Sequence, residues 1–316
     1  MVQKWNIAVQ QEIKGNMALE LGYQGNHSSH QLLQPDFNAC GNLGTFDTKI
    51  NCDSLRPTPF IGSISGTASF GYGNYNAFTA KLEKRMSNGL QFIVAYTYGH
   101  ALANSGTTLS GSTGLYTRNN TNFGTSYTSA SWDIRHNFTT GFNYELPFGR
   151  GKAYGADMNK FVQALAGNWQ ANGILTFHTG NPYTIRANGC QGVWSGGCSP
   201  DLLGAVDADA APSGGRNPSE WFDTSHFGPP TSLTQGNLGL QTNNAPPTRT
   251  VDFSLFKDFN FTERWKLQFR AETFNLANTP QFGTPDNTLG DAKFGQVTSS
   301  QTGTERHIQF ALRLQF

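Results

Sequence analysis

Charge is scarce in this chain. Lysine, arginine, aspartate and glutamate make up 14 % of its 316 residues, against about 25 % in ordinary soluble proteins. What charge there is nearly cancels, because 22 basic and 21 acidic residues leave a formal net charge of +1. That balance gives no electrostatic footprint for nucleic acid. Long apolar runs are lacking too, and none approaches the roughly 18 residues of a membrane-spanning helix. No apolar stretch follows Met1-Val2-Gln3-Lys4-Trp5, so the opening does not read as a signal peptide. Met1 is therefore expected to be an internal or mis-assigned start, or the chain a fragment. Catalytic phrases are missing as well: there is no G-x-S-x-G elbow, no phosphate-binding G-x-x-x-x-G-K loop and no H-E-x-x-H. The expectation is a protein that is not an enzyme and carries no cofactor.

Cysteine is limited to four residues, in two close pairs, Cys40/Cys52 and Cys190/Cys198. Both pairs fall in loop-like stretches, which suits two local disulfides in an oxidising compartment; four unrelated thiols are the alternative. Neither pair has C-x-x-C spacing, which argues against zinc. The histidines are scattered, and the nearest pair, His27/His30, reads as solvated loop. Asp207 and Asp209 lack the glycine-bearing twelve-residue loop of a calcium site.

What is present is aromatic and small: 13 % aromatics and 36 glycines, with a mean hydropathy of −0.45. That combination fits a wall with one face on lipid and the other on water. The order of residues agrees. Trp265, Leu267, Phe269, Ala271 and Thr273 alternate with Lys266, Gln268, Arg270 and Glu272, so every charge falls on one side. Phe310, Leu312, Leu314 and Phe316 alternate with Gln309, Arg313 and Gln315 in the same way. Segments beginning near Trp5, Met17, Phe78, Phe92, Phe138, Trp169 and Phe253 repeat the strand signature, although Ile93 and Ala95 spoil one polar side.

The links between segments discriminate further. Short turns at Lys14-Gly15-Asn16, Ser87-Asn88-Gly89 and Asn260–Arg264 and a medium link at Leu146–Asn168 occupy one side. Long links at about Gly25–Asn74, Ala101–Ser131, Ala187–Thr250 and Ala277–Glu305 occupy the other. Short periplasmic turns facing long extracellular loops are the habit of outer-membrane barrels. Counting Ile61–Tyr72 as a span would break this parity, so that stretch is assigned to an extracellular loop, as a loop hairpin. About nine spans remain, an odd number where closed single-chain barrels are even. The stretch Met158–Gly167 has helical spacing, enough for a turn or two.

The last strand, with Phe310, Leu312, Leu314 and terminal Phe316, resembles the signal read by the barrel assembly machinery. Several phrases together resemble the late-barrel region of Oar-like TonB-dependent transporters. They include Trp5-Asn6-Ile7-Ala8-Val9-Gln10-Gln11-Glu12, Tyr96-Thr97-Tyr98-Gly99-His100-Ala101, Asp133-Ile134-Arg135-His136-Asn137-Phe138, Tyr144-Glu145-Leu146-Pro147-Phe148-Gly149 and Phe269-Arg270-Ala271-Glu272-Thr273-Phe274-Asn275. The resemblance covers nearly all strands and fades in the long loops. It implies an all-β, antiparallel transmembrane barrel of about 22 strands around a plug, energised by TonB. No plug, TonB box or leading strands are among these residues, so this chain alone is not expected to couple to TonB or to close a pore.

The reading is thus residues 1–316 as the C-terminal barrel part of an outer-membrane transporter. It faces lipid, supplies wall and loops for an unknown transported substrate, and touches no nucleic acid. The lumen charges Lys81, Glu83, Arg85, Arg270 and Glu272 read as structural ladders. Trp194, Trp221, Phe222 and Phe227 in the longest loop either stack on a sugar or siderophore or anchor the loop itself. Two alternatives stand beside this: a standalone surface barrel or adhesin, and a soluble β-sandwich carbohydrate binder, which the lipid-facing aromatics disfavour.

Overall fold

The structure is a computed structural model and describes residues 1–33, 35–38, 56–64, 66–104, 123–188, 198–230, 236–262 and 264–316. Its elements are β1 (Val2–Ile13), β2 (Met17–Leu33), β3 (Ala68–Ser87), β4 (Leu90–Ala103), β5 (Thr128–Ser129), β6 (His136–Glu145), α1 (Lys160–Ala166) and β7 (Trp169–His178). Then come the two-residue strands β8 (Pro182–Tyr183), β9 (Arg186–Ala187), β10 (Asp201–Leu202), β11 (Phe227–Gly228) and β12 (Asn243–Asn244). Long β13 (Thr248–Asn260) and β14 (Lys266–Phe274), short β15 (Thr288–Leu289) and final β16 (His307–Gln315) complete the chain.

Nine long strands form one antiparallel sheet in the order β1-β2-β3-β4-β6-β7-β13-β14-β16, with β5 paired on β4. The sheet is not closed, so β1 and β16 are its edges. The nine expected spans are these nine strands. Asn88 and Gly89 both have positive φ, 52° and 76°, which makes the β3–β4 link the type I′ turn whose twist matches its strands.

Register sets which side chains lie together, because residues directly opposite in a ladder share a face. Ile7 pairs with Tyr23, Tyr23 with Phe78 and Phe78 with Tyr98. Phe92 pairs with Phe142, Phe138 with Phe177, Phe269 with Leu312 and Leu267 with Leu314. The apolar sets of all nine strands therefore merge into one outer face. On β1 it runs from Trp5 to Ile13, roughly 27 Å along the strand at ~3.4 Å per residue. The opposite, inner face collects Asn6, Glu20, Lys81, Thr97, Asn137, Asn172, Ser254 and Gln268.

Aromatic rings cover glycines on the outer face, where a strand would otherwise present bare backbone. A Cβ on Gly25 would fall 2.5 Å from the Trp5 indole, and one on Gly173 2.5 Å from the Phe142 ring. Two lysines also lie on this face, both near the short-turn end. Lys84 donates to Gly15 O at 2.8 Å. Lys257 donates to Gly167 O between the rings of Trp169 and Phe259. Their stems lie along apolar surface while their amines reach turn carbonyls, the snorkelling habit of cations near a membrane boundary.

Two expected boundaries move. The link assigned to Gly25–Asn74 is much shorter, because β2 continues to Leu33 and β3 begins at Ala68. Ala68–Tyr72 is thus the start of β3 and not half of a loop hairpin. With 17 and 20 residues, these strands exceed the 9–11 that cross a bilayer. Their tips run past the lipid band, so Gly25–His30 shows no apolar alternation. The helical expectation in the medium link is met by α1, capped where the Asn159 side chain accepts from Val162 N at 2.9 Å.

The described core lies in the loops. Tyr183, Ile185, Ala208, Trp221, Phe222, Phe227 and Leu238 are buried together, with Phe282, Phe294 and Val297 packed against them. This layer joins the β7–β13 link to the β14–β16 link. Gly180 lies where the layer meets the sheet; a Cβ there would fall 1.7 Å from Ala245 O. Elsewhere buried amides organise the loops. Asn38 Nδ2 donates to the carbonyls of Thr58, Ile61 and Gly62. Asn104 Oδ1 accepts from Tyr72 N at 2.7 Å. Asn275 Nδ2 donates to Thr279 O and Thr304 O, and Gln281 brackets the backbone of Arg249 from both sides.

Two outcomes are expected. Leu267→Arg on the outer face should strongly impair membrane assembly, since a mid-bilayer charge costs roughly 2–4 kcal/mol, whereas Gln268→Arg should be mild. Equal tolerance of both in a heat-modifiability assay would show that the faces are misassigned. Phe222→Ala should destabilise the loop layer by about 3–5 kcal/mol. Limited proteolysis would read this as new cleavage between β7 and β13 with the sheet still resistant.

Candidate binding site

At the long-loop end, the inner face carries a cavity of about 410 Å³. β2 contributes Asn26, Ser28 and Gln31, β3 Asn74 and Tyr75, β4 Thr97, and the segment before β6 Trp132 and Asp133. Strand parity explains part of this lining. Asn26 is opposite Tyr75 and Tyr75 opposite Ala101, so these three share the inner side. The Tyr75 ring lies across Gly99, where a Cβ would approach its hydroxyl to 3.0 Å.

Charge is nearly absent from this cavity. Its one carboxylate, Asp133, is buried and already engaged: it accepts from Ala101 N at 2.7 Å and pairs with Arg135 at 3.3 Å, with His100 at 4.0 Å. Asp133 is thus a brace that ties the approach to β6 onto β4. What remains for a ligand is a set of amides and hydroxyls beside two rings, Tyr75 and half-exposed Trp132. Such a surface can hydrogen-bond and stack on an uncharged polar molecule. Halfway down the inner face a second cavity, of about 550 Å³, contains Glu83, Asp252 and Glu272 around Ile93, Ile174 and Phe274. The register aligns Ile93, Gly141, Ile174 and Asp252 in one row, which accounts for the apolar residues that interrupt the polar side of β4.

The residues singled out by sequence scatter. Trp221, Phe222 and Phe227 lie inside the loop core, Phe222 with no exposed surface, and the ring pairs Phe222–Phe227 and Phe222–Phe294 meet edge to face at 5.4 and 5.3 Å. Trp194 lies outside the described residues, as do Cys40, Cys52 and Cys190. Cys198 is buried and disulfide-bonded. Phe310, Leu312 and Leu314 line the outer side of edge strand β16, and Phe316 stacks on Trp265 at 5.5 Å. Of the lumen charges, Lys81 pairs with Glu83 at 3.1 Å, Arg270 donates to Gln268 at 2.7 Å while lying over Phe256, and Gln309 donates to Glu272. His27 bonds Asn74 and His30 bonds Ser29, and no group of three or more metal-binding side chains gathers among the described residues.

Trp132 and Tyr75 were not singled out by sequence; Trp132 sits in an irregular segment with no periodicity to mark it. In the loop core, burial pushes the Tyr183 hydroxyl pKa far above its ordinary value, helped by the nearby Asp209 carboxylate, so Tyr183 stays neutral. Its oxygen and Trp221 Nε1 are buried with no hydrogen-bond partner among the described residues.

Solved structures similar to this chain include the pyoverdine outer membrane receptor FpvA of Pseudomonas aeruginosa, at 12 % identity and a TM-score of 0.49 over all of this chain and 27 % of that one. Another is the outer membrane transporter YddB of Escherichia coli, at 10 % identity and a TM-score of 0.48 over all of this chain and 32 % of that one. The chain spans about a third or less of the length of either. No curated protein matches the sequence. The family model of the outer membrane beta barrel domain matches residues 1–309, and with its all-β, antiparallel sheet and continuous apolar outer face the chain belongs to that family, whose place is the outer membrane.

Proposed function

We propose that the chain supplies wall strands and extracellular loops to a TonB-dependent transporter of the Oar-like kind, and that its inner, long-loop cavity contacts the transported substrate. The observation that carries this is the inner face itself. It is wet, uncharged near the mouth, and bears an apolar row at Ile93, Ile174 and Phe274 that offers a plug a dry contact. The two open edges, β1 and β16, suit a sheet that pairs with further strands of a larger barrel. A role in the wall needs no chemistry, in keeping with a non-enzymatic reading. Phe310, Leu312, Leu314 and Phe316 on edge β16 suit the barrel assembly machinery, which would add the strand by edge pairing. The packing of Trp221, Phe222 and Phe227 favours anchoring over ligand contact. The folded loop layer also suits an adhesin, the second reading.

Uptake separates the two. In cells carrying the full-length protein, accumulation of a labelled ligand (ferric chelates and neutral oligosaccharides being the panel) should stop when the proton-motive force is collapsed. Tyr75→Ala with Trp132→Ala should lower it at least tenfold without lowering surface abundance. Surface binding that ignores the proton-motive force would favour the adhesin. We further propose the pairings Cys40–Cys52 and Cys190–Cys198. Peptide mapping without reductant should recover these two linked peptides, and any other pairing overturns them.

A further inference from the structure

A second cavity at the long-loop end, of about 610 Å³, opens where β6, β7 and β13 meet the loop layer. Its position differs from that of the substrate cavity. His136 is opposite Tyr98 and Arg249 opposite Phe177, and both partners belong to the apolar outer face. The cavity therefore lies on the outside of the barrel, level with the aromatic residues that end the lipid-facing band. Hydrocarbon gives way to lipid headgroups at that level.

The charges there are unequal. Arg135, Arg216 and Arg249 line the cavity against one carboxylate, Asp209. Asp133 neutralises Arg135 from behind at 3.3 Å, and Asp209 neutralises Arg216 at 3.2 Å. Arg249 is exposed and has no ion-pair partner among the described residues. Its backbone is fixed, since Gln281 accepts from its N–H at 3.1 Å and donates to its carbonyl at 2.8 Å. His136 is also held, by Tyr96 at 2.8 Å, and Arg216 lies over the Trp221 ring at 5.7 Å. A guanidinium on the outer rim, its backbone held and with no ion-pair partner among the described residues, faces one abundant class of anion, the phosphates of lipid headgroups. Its planar fork matches them with two parallel hydrogen bonds.

We infer that this cavity binds the phosphate of an outer-leaflet lipid headgroup, with Arg249 as the main contact and His136 beside it. The site is independent of the transport reading and needs only the outer-membrane location. It gives the barrel a specific lipid neighbour at the base of its largest loop layer.

Nanodiscs of phosphatidylcholine doped with bis-phosphorylated lipid A provide the test, with dephosphorylated lipid A and free inorganic phosphate as the other arms. Native mass spectrometry of the full-length protein should retain a lipid A molecule from the first disc and none from the second. Millimolar inorganic phosphate should not displace it. Arg249→Glu should reduce retention at least tenfold. Arg249→Gln, which only removes the charge and spares assembly, should do likewise, while Arg249→Lys should keep part of it. Retention that is equal in wild type and Arg249→Gln, or indifferent to the phosphates, overturns the inference. Displacement by inorganic phosphate would mark a soluble-anion site and overturn it too.

Discussion

Every other feature depends on the eight backbone ladders that join the nine long strands. In hydrocarbon a peptide group has no water to bond, so each unpaired N–H or C=O there costs several kcal/mol. The ladders meet that demand, and in doing so they fix register. Register in turn decides which side chains share a face, because a slip by one residue would turn every apolar side chain of a strand inward. The single outer face from Ile7 to Leu314 follows from eight pairings that all agree. That agreement also leaves the inner face free for amides, hydroxyls and a few ion pairs.

The spans were legible because the membrane imposes period two wherever a strand crosses it. Trp265–Thr273 and Ile308–Phe316 could be read with their faces and register parity intact. The strand tips were not legible. From Gly25 to Leu33 the strand has run past the lipid band, so hydrocarbon imposes no alternation, and the extended backbone is held by pairing to β1 and to distant β3 residues. Ile61–Tyr72, kept out of the spans for its parity, has strand in its second half for the same reason.

Site residues were less legible than spans. Trp221, Phe222 and Phe227 stood out as aromatics in a loop, but whether an aromatic in an irregular segment faces a ligand or a core is set by contacts far along the chain. Phe294 and Val297, which close that core, come from another link altogether. Arg249 looks unremarkable in sequence. Its place on the outer rim emerges from its pairing with Phe177, and the fixing of its backbone from Gln281.

The loop anchors are mostly neutral amides: Asn38, Asn104, Asn243, Asn275 and Gln281 are all nearly devoid of solvent contact. An amide does not titrate, and its hydrogen bonds to carbonyls are not screened as ion pairs are. At these anchors the exterior architecture is insulated from the acidity and salinity of whatever surrounds the cell, unlike at the Asp133–Arg135 brace. A lattice of exposed acid–base pairs would loosen with every change of medium.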